Sequence, residues 1–278
     1  MQTVTEREIA DSLADATFRA YRKAIIELPP DVLLAIRRGE EAETDPVARG
    51  EYANIRKNID LARSLAIPLC QDTGIPVVYL SLPPDVPLTG SIYDAVAQGI
   101  RRATLEIPLR PNVVDSLTRK NTGDNTGGGI PVLHIRPGNR FTVTVMPKGA
   151  GAENMSRIAM LLPSQVDQIG KFIVETVLIA GSRPCPPLFL GVGIGGTFDL
   201  AASLAKEALL LPVDTMNSFE QELCTAVNTL GIGPMGLGGV ITALAVKVKK
   251  ASCHTASLPV AVNIQCWANR HATVEVDR

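Results

Sequence analysis

The side chains with the most chemistry to offer are five cysteines: Cys70, Cys185, Cys224, Cys253 and Cys266. Their number is odd and no two form a Cys-x-x-Cys, which removes disulfide frameworks, zinc ribbons and thioredoxin-type redox pairs. Cys224 falls in a helical apolar stripe with Phe219, Leu223, Val227 and Leu230 and reads as core. Cys253, next to His254, is also assigned to packing. The other three stand differently. Cys70 opens Gln71-Asp72-Thr73-Gly74, Cys185 lies within Arg183-Pro184-Cys185-Pro186-Pro187, and Cys266 precedes Trp267, the single tryptophan. Prolines and turn formers exclude helix at such positions and expose a thiol to a cofactor.

The three loop cysteines are 115 and 81 residues apart, too far for a local metal knuckle but not for loops that meet in a folded domain. A [4Fe–4S] cube normally takes four cysteines, so three would leave one iron open to a substrate oxygen as a Lewis acid.

Glycine supplies the next signal. Of 23 glycines, 15 fall in four segments read as loops: 121–129, 148–151, 191–196 and 231–239. Glycine lets a backbone take positive φ or approach a ligand closely. Gly191-Val192-Gly193-Ile194-Gly195-Gly196 follows a strand-like Leu188-Phe189-Leu190, precedes a helical pattern, and has Asp214 about twenty residues on. That is the outline of a dinucleotide-binding turn and keeps an NAD-dependent oxidoreductase open. The motif begins late and leaves most of the chain unexplained, so an anion- or backbone-lined turn at a helix N-terminus is the preferred reading.

The elements that must position these residues come in two textures. Residues 6–28, 32–38 (with Asp31 as cap) and 47–65 have helical apolar spacing, and residues 1–66 are expected to form an N-terminal helical region. From residue 67 to 278, β-branched runs (75–80, 141–146, 188–190, 240–248) alternate with helical stretches (91–105, 165–180, 199–209, 217–230). This predicts an α/β domain, a mixed sheet flanked by helices, continuous with the front end. Lys247, Lys249 and Lys250 alternate with apolar residues and suit a solvated strand face. His134 and His271 are left as structural histidines.

Bulk composition excludes several classes. The 278 residues carry 27 basic and 28 acidic side chains, are 46% hydrophobic and 20% charged, and have net charge −1. That is an ordinary globular balance with no electrostatic case for nucleic acid or an anionic membrane. No apolar run reaches the ~20 residues of a membrane helix. The first seven residues lack a basic segment followed by an apolar core, so a reducing cytoplasm is the expected location.

Several segments together resemble one family over nearly the whole chain. These are Cys70-Gln71-Asp72-Thr73-Gly74, Cys185-Pro186-Pro187, residues 191–197, Leu230-Gly231-Ile232-Gly233-Pro234-Met235-Gly236, and His254-Thr255-Ala256-Ser257 through Cys266-Trp267-Ala268. They resemble the α subunit of two-subunit iron–sulfur hydro-lyases, the class I fumarate hydratases and L-tartrate dehydratases. The stretch 146–156 is closer to the fumarase branch. The resemblance implies a [4Fe–4S] cluster on Cys70, Cys185 and Cys266. It implies substrate contacts from Gln71, Asp72, Arg110, the Gly151 backbone and His254, with Gln71, Asp72 and His254 as the catalytic set and Asp72 as acid/base candidate. It further implies a separate β subunit, an α2β2 assembly, and a small dicarboxylate substrate: fumarate, with tartrate or mesaconate as alternatives. A non-catalytic scaffold is the remaining reading, and the helical front end is its best support.

Overall fold

The computed structural model describes residues 6–277; of the leader reading, residues 1–5 lie outside it. In chain order the helices are α1 (Glu6–Ile26), α2 (Pro30–Ala42), α3 (Pro46–Leu65), α4 (Ser91–Glu106), α5 (Ala150–Glu153), α6 (Ile169–Ala180), α7 (Phe198–Ala208) and α8 (Ser218–Asn228). The strands are β1 (Ile75–Leu82), β2 (Val132–Pro137), β3 (Thr142–Lys148), β4 (Arg157–Leu161), β5 (Leu188–Gly196), β6 (Ala243–Cys253), β7 (Leu258–Gln265) and β8 (Ala272–Glu275). Short 3-10 turns occupy Pro163–Gln168 and Pro234–Gly236. The class is α/β with mixed sheets flanked by helices, and its front end is helical, as the sequence predicts. Two sheets are present where the sequence suggested one. No helix among the described residues is long and apolar enough to cross a membrane.

The described residues divide into two compact units, both discontinuous: the first holds the segment ending at Leu28, residues 58–149 and the segment from Arg270 on, the second residues 29–57 and 150–269. The predicted helical front end is thus shared out between them.

In the first unit the sheet order is β2-β1-β3-β8, with β1 parallel to β2 and antiparallel to β3, and β8 antiparallel to β3. Helices α1 and α4 pack on each other, and α1 packs on β3 and β8. The alternate residues Val143 and Val145 of β3 and Val78 and Leu80 of β1 bury against Leu13, Ala16, Ala20, Val96 and Ile100, the two-residue period of a strand meeting the apolar stripe of a helix. On β2, His134 stacks on Tyr79 of β1 at 4.7 Å, consistent with a structural histidine.

In the second unit the order is β4-β7-β5-β6, with β5 parallel to β6 and antiparallel to β7. Leu188, Leu190, Val192 and Ile194 of β5 and Val260, Val262 and Ile264 of β7 face α6 and α8. The opposite face of β5 carries Gly191 and Gly193, and there α7 lies on the strand. A Cβ on Gly191 would stand 2.0 Å from the carbonyl oxygen of Ala205, and one on Gly193 2.0 Å from that of Ala201. The glycines therefore let a helix backbone rest on a strand backbone. They sit inside β5, not in a strand-to-helix loop, and this overturns both the dinucleotide outline and the anion-binding turn read from the sequence. A phosphate loop needs its glycines past the strand, with free amides at the helix start.

Other local expectations are corrected here. Asp31 lies within α2, whose first residue is Pro30, and its carboxylate accepts from the Val213 amide at 2.9 Å instead of capping the helix. Lys247 is not solvated. It is buried, and its Nζ bonds Glu220 Oε2 at 2.9 Å and the Thr215 carbonyl at 2.7 Å. Lys249 pairs with Glu207 at 2.7 Å. Glu220 also completes a capping box at the start of α8: its amide donates to Asn217 Oδ1 and its carboxylate accepts from the Asn217 amide, each at 3.0 Å.

Candidate functional site

Within the first unit the segment 66–74 is irregular and leads into β1. It is anchored at Leu69, whose amide donates to the Ile25 carbonyl at 3.0 Å and whose carbonyl accepts from Asn58 Nδ2 at 2.9 Å. Beyond that anchor Cys70 and Gln71 are exposed. Asp72 is half-buried, and its Oδ1 accepts from the Gly74 amide at 3.0 Å, which makes it a turn former. Its second oxygen faces Gly149, 3.1 Å from where a Cβ would sit. One carboxylate thus shapes the turn with one oxygen and turns the other toward Gly149.

Thr73 and Gly74 hold this loop to the rest of the unit. The buried Thr73 hydroxyl donates to the Arg110 carbonyl at 2.7 Å, which brings Arg110 beside the Cys70 loop and leaves its side chain exposed. Asn112 lies against the same turn, its side-chain amide 2.7 Å from Thr73 Oγ1. Gly74 has φ +78°, and a Cβ there would come within 2.8 Å of the Lys148 nitrogen and the Pro147 carbonyl carbon. Only glycine satisfies both demands.

Sequence reasoning missed one residue here. Arg270 is 3% exposed, and its Nη2 donates to the main-chain carbonyl of Asp72. The signal that could have found it is a charged residue three places beyond the Cys266-Trp267 pair, in the run Ala268-Asn269-Arg270.

The second unit holds the remaining site residues. Cys185 is exposed with φ +55°, its amide bonded to the Ser182 carbonyl at 3.0 Å, and the Pro186–Pro187 bond after it is cis. Cys266 is partly buried and follows β7 directly. Because β7 runs antiparallel to β5, with Phe189 opposite Gln265, the segment before β5 and the segment after β7 share one end of the sheet. There the Trp267 amide donates to the Cys185 carbonyl at 3.3 Å. Gly151, on the short α5, belongs to the same neighbourhood; a Cβ on it would be 3.4 Å from the Arg183 carbonyl oxygen. The motif Leu230–Gly236 supports this turn, with the Met235 amide bonded to the Pro186 carbonyl at 2.9 Å.

His254 is not brought to that place. It follows β6, whose last residue Cys253 is paired with Gly196 at the far end of β5. Seven steps along β5, from Phe189 to Gly196, separate the two ends, about 23 Å at ~3.3 Å per residue. The His254 ring is exposed, and its Nδ1 accepts from the Ala256 amide at 3.1 Å, which leaves Nε2 as the outward donor in the neutral ring.

The thiols are sorted by environment. Cys224 is 3% exposed, and burial pushes its thiol up to about 11. Cys253, expected to pack, is instead exposed, because β6 runs on to its solvent-facing end. No three His, Cys, Asp or Glu side chains among the described residues gather closely enough to hold a single metal ion. The donors that fit an iron–sulfur cluster are loop thiols that a ligand can reach; Cys70 and Cys185 are exposed and Cys266 partly exposed in such segments, and Cys224 is buried in a helix.

The chain matches the fumarate hydratase (Fumerase) family over residues 14–275. A protein of Methanocaldococcus jannaschii, provisionally named L(+)-tartrate dehydratase subunit alpha, is 42% identical over 273 residues, covering 94% of this chain and 96% of its own length. Proteins of Escherichia coli strain K12 and Shigella sonnei named L(+)-tartrate dehydratase subunit alpha are each 32% identical over 259 residues, covering 90% of this chain and 86% of theirs. A match of that extent, spanning every segment that carries a candidate residue, places the chain in the fumarate hydratase (Fumerase) family.

Proposed function

We propose that this chain is the α subunit of an iron–sulfur hydro-lyase that adds water to fumarate, or removes it from malate, in complex with a β subunit. The observation that carries the reading is the sorting of its thiols. The three at the family's motif positions lie in loops, Cys70 and Cys185 exposed and Cys266 partly buried, while Cys224 is buried in a helix and protonated. A [4Fe–4S] cluster held by Cys70, Cys185 and Cys266 supplies, when bound, one open iron to polarise a substrate hydroxyl.

The chain's own residues do the rest. Arg110, beside the Cys70 loop, holds a substrate carboxylate by charge-assisted hydrogen bonds. Gln71 donates from its exposed amide. Asp72, with one oxygen fixed in its turn and the other turned to Gly149, moves the proton of the acid/base step. The Gly151 backbone contacts the substrate near Cys185. On one chain the sheet holds His254 at the opposite end of β5 from Cys185 and Cys266, so in an α2β2 assembly its Nε2 serves a pocket other than that of its own two thiols.

A second reading, tartrate as substrate, is favoured by the names of the relatives at 42% and 32% identity. Iron and sulfide analysis of anaerobically prepared chain tests the first part: about four irons per chain are expected, and none would sink the cluster. Assays of the αβ complex on malate, tartrate and mesaconate then decide the substrate. Turnover of tartrate without malate would replace the fumarate reading.

A further inference from the structure

Arg270 is a buried cation that the substrate reading leaves without a task. Its Nη2 bonds the Asp72 carbonyl, while Nε and Nη1 meet no partner among the described residues. Taking a guanidinium out of water is costly, and one carbonyl returns only part of that cost. Such a group weakens the fold unless its position has another use.

Its surroundings indicate that use. Nη2 lies 4.0 Å from the point a Gly149 Cβ would occupy, and Asp72 Oδ2 lies 3.1 Å from the same point. The cation and the carboxylate therefore both lie within 4.0 Å of the bare face of Gly149. Tyr21, fully buried with its hydroxyl also lacking a partner, stands in the same field. Burial holds the Tyr21 hydroxyl's pKa well above its ordinary value, Arg270 opposes that rise and Asp72 adds to it. Arg270 thus faces the loop from the buried side, while Cys70 and Gln71 face outward.

We propose that Arg270 is a positioning residue: by holding the Asp72 main-chain carbonyl it fixes the peptide that aims the Asp72 carboxylate and, with it, the loop of Cys70 and Gln71. This rests on reading that loop as part of the substrate site. The side chain acts from behind the loop and touches no substrate. Its place in the sequence gives the arrangement a second consequence. Arg270 follows Cys266 by four positions, so the segment that bears one proposed ligand also carries the residue that steadies the loop bearing another.

The test uses the full chain without cluster, followed by amide hydrogen exchange. In Arg270→Gln, exchange at residues 71–74 is expected to quicken at least ~10-fold, the factor lost with one charge-assisted bond, while residues 77–80 of β1 keep their rate. Arg270→Lys, which restores charge and one donor, is expected to recover part of the protection. Unchanged exchange at 71–74 in Arg270→Gln overturns the proposal. Should Arg270→Gln also loosen β1, Arg270→Lys decides: wild-type rates at 71–74 in that variant overturn positioning by the fork. Iron analysis of the wild-type chain separates this from the functional reading, since a chain that takes up no cluster defeats that reading and leaves the exchange result standing.

Discussion

The main-chain amide of Trp267 donates to the carbonyl of Cys185 at 3.3 Å, so the two thiol-bearing turns at one end of the β5–β7 pair are joined through backbone. Neither thiol takes part in that bond.

This separation of thiol from scaffold has a direct chemical readout. Iodoacetamide at pH 8 is expected to label Cys70, Cys185 and Cys253 in the folded chain, with Cys266 slower and Cys224 untouched until unfolding. A thiol pushed up to about 11 holds almost no thiolate at that pH. Peptide mass spectrometry checks it, and labelling of Cys224 at the rate of Cys70 would contradict the sorting of thiols.

Gly193→Ala would drive a Cβ to 2.0 Å from the Ala201 carbonyl oxygen. The α7 backbone must shift, at about 1–3 kcal/mol as in overpacked cores. Urea unfolding measures the loss. NADH fluorescence is expected to be unchanged by either the wild-type chain or the variant, because the glycines serve packing.

Lys247→Met leaves Glu220 buried without its cation; the two side chains are 10% and 4% exposed. Removing one partner of such a pair costs about 3–5 kcal/mol, and replacing both costs much less. The double variant Lys247→Met, Glu220→Leu should therefore be more stable than Lys247→Met alone, by chemical denaturation. The reverse order would show that the capping role of Glu220 outweighs the pair.

Acid should find the same carboxylate. Burial raises the Glu220 carboxyl, but the Lys247 hydrogen bond and the Asn217 and Val248 amides outweigh it and hold it below the ordinary range. A depressed folded value gives stability that is complete above the unfolded value, about 4.3, and is lost as pH falls through the folded one. Urea midpoints should stay level from pH 7 to 5 as far as Glu220 is concerned and drop below ~4. Glu220→Gln should be less stable at neutral pH and less steep in acid.

Much of this architecture was legible in the sequence where pattern and environment agree. The stripes of α1 and α4 and the runs around Val78 and Val143 are half-buried elements whose period shows. Strand β7 escaped because all its residues from Leu258 to Gln265 are buried, so no alternation marks it, and it follows a turn already read as a motif. Glycines 191–196 misled for a related reason. The same residue type serves a phosphate turn and a close helix–strand contact, and only the helix above the strand tells them apart. At the site, Cys70 stood out as a thiol among turn formers, and Gln71 and Asp72 only through the family resemblance. Arg270 did not, since a lone arginine becomes informative only when its burial and the carbonyl it holds are seen.

The pairing of β8 with β3 has a consequence in time. A ribosome delivers β3 more than a hundred residues before β8, and the second unit from Ala150 to Asn269 emerges in between. Throughout that interval the nascent first sheet carries an open edge, the kind that recruits strands from other chains. Arg270 is delivered just before β8, so the Asp72 loop acquires its proposed clamp only after the second unit has been made. Cofactor loading before that moment would meet a loop not yet fixed in place.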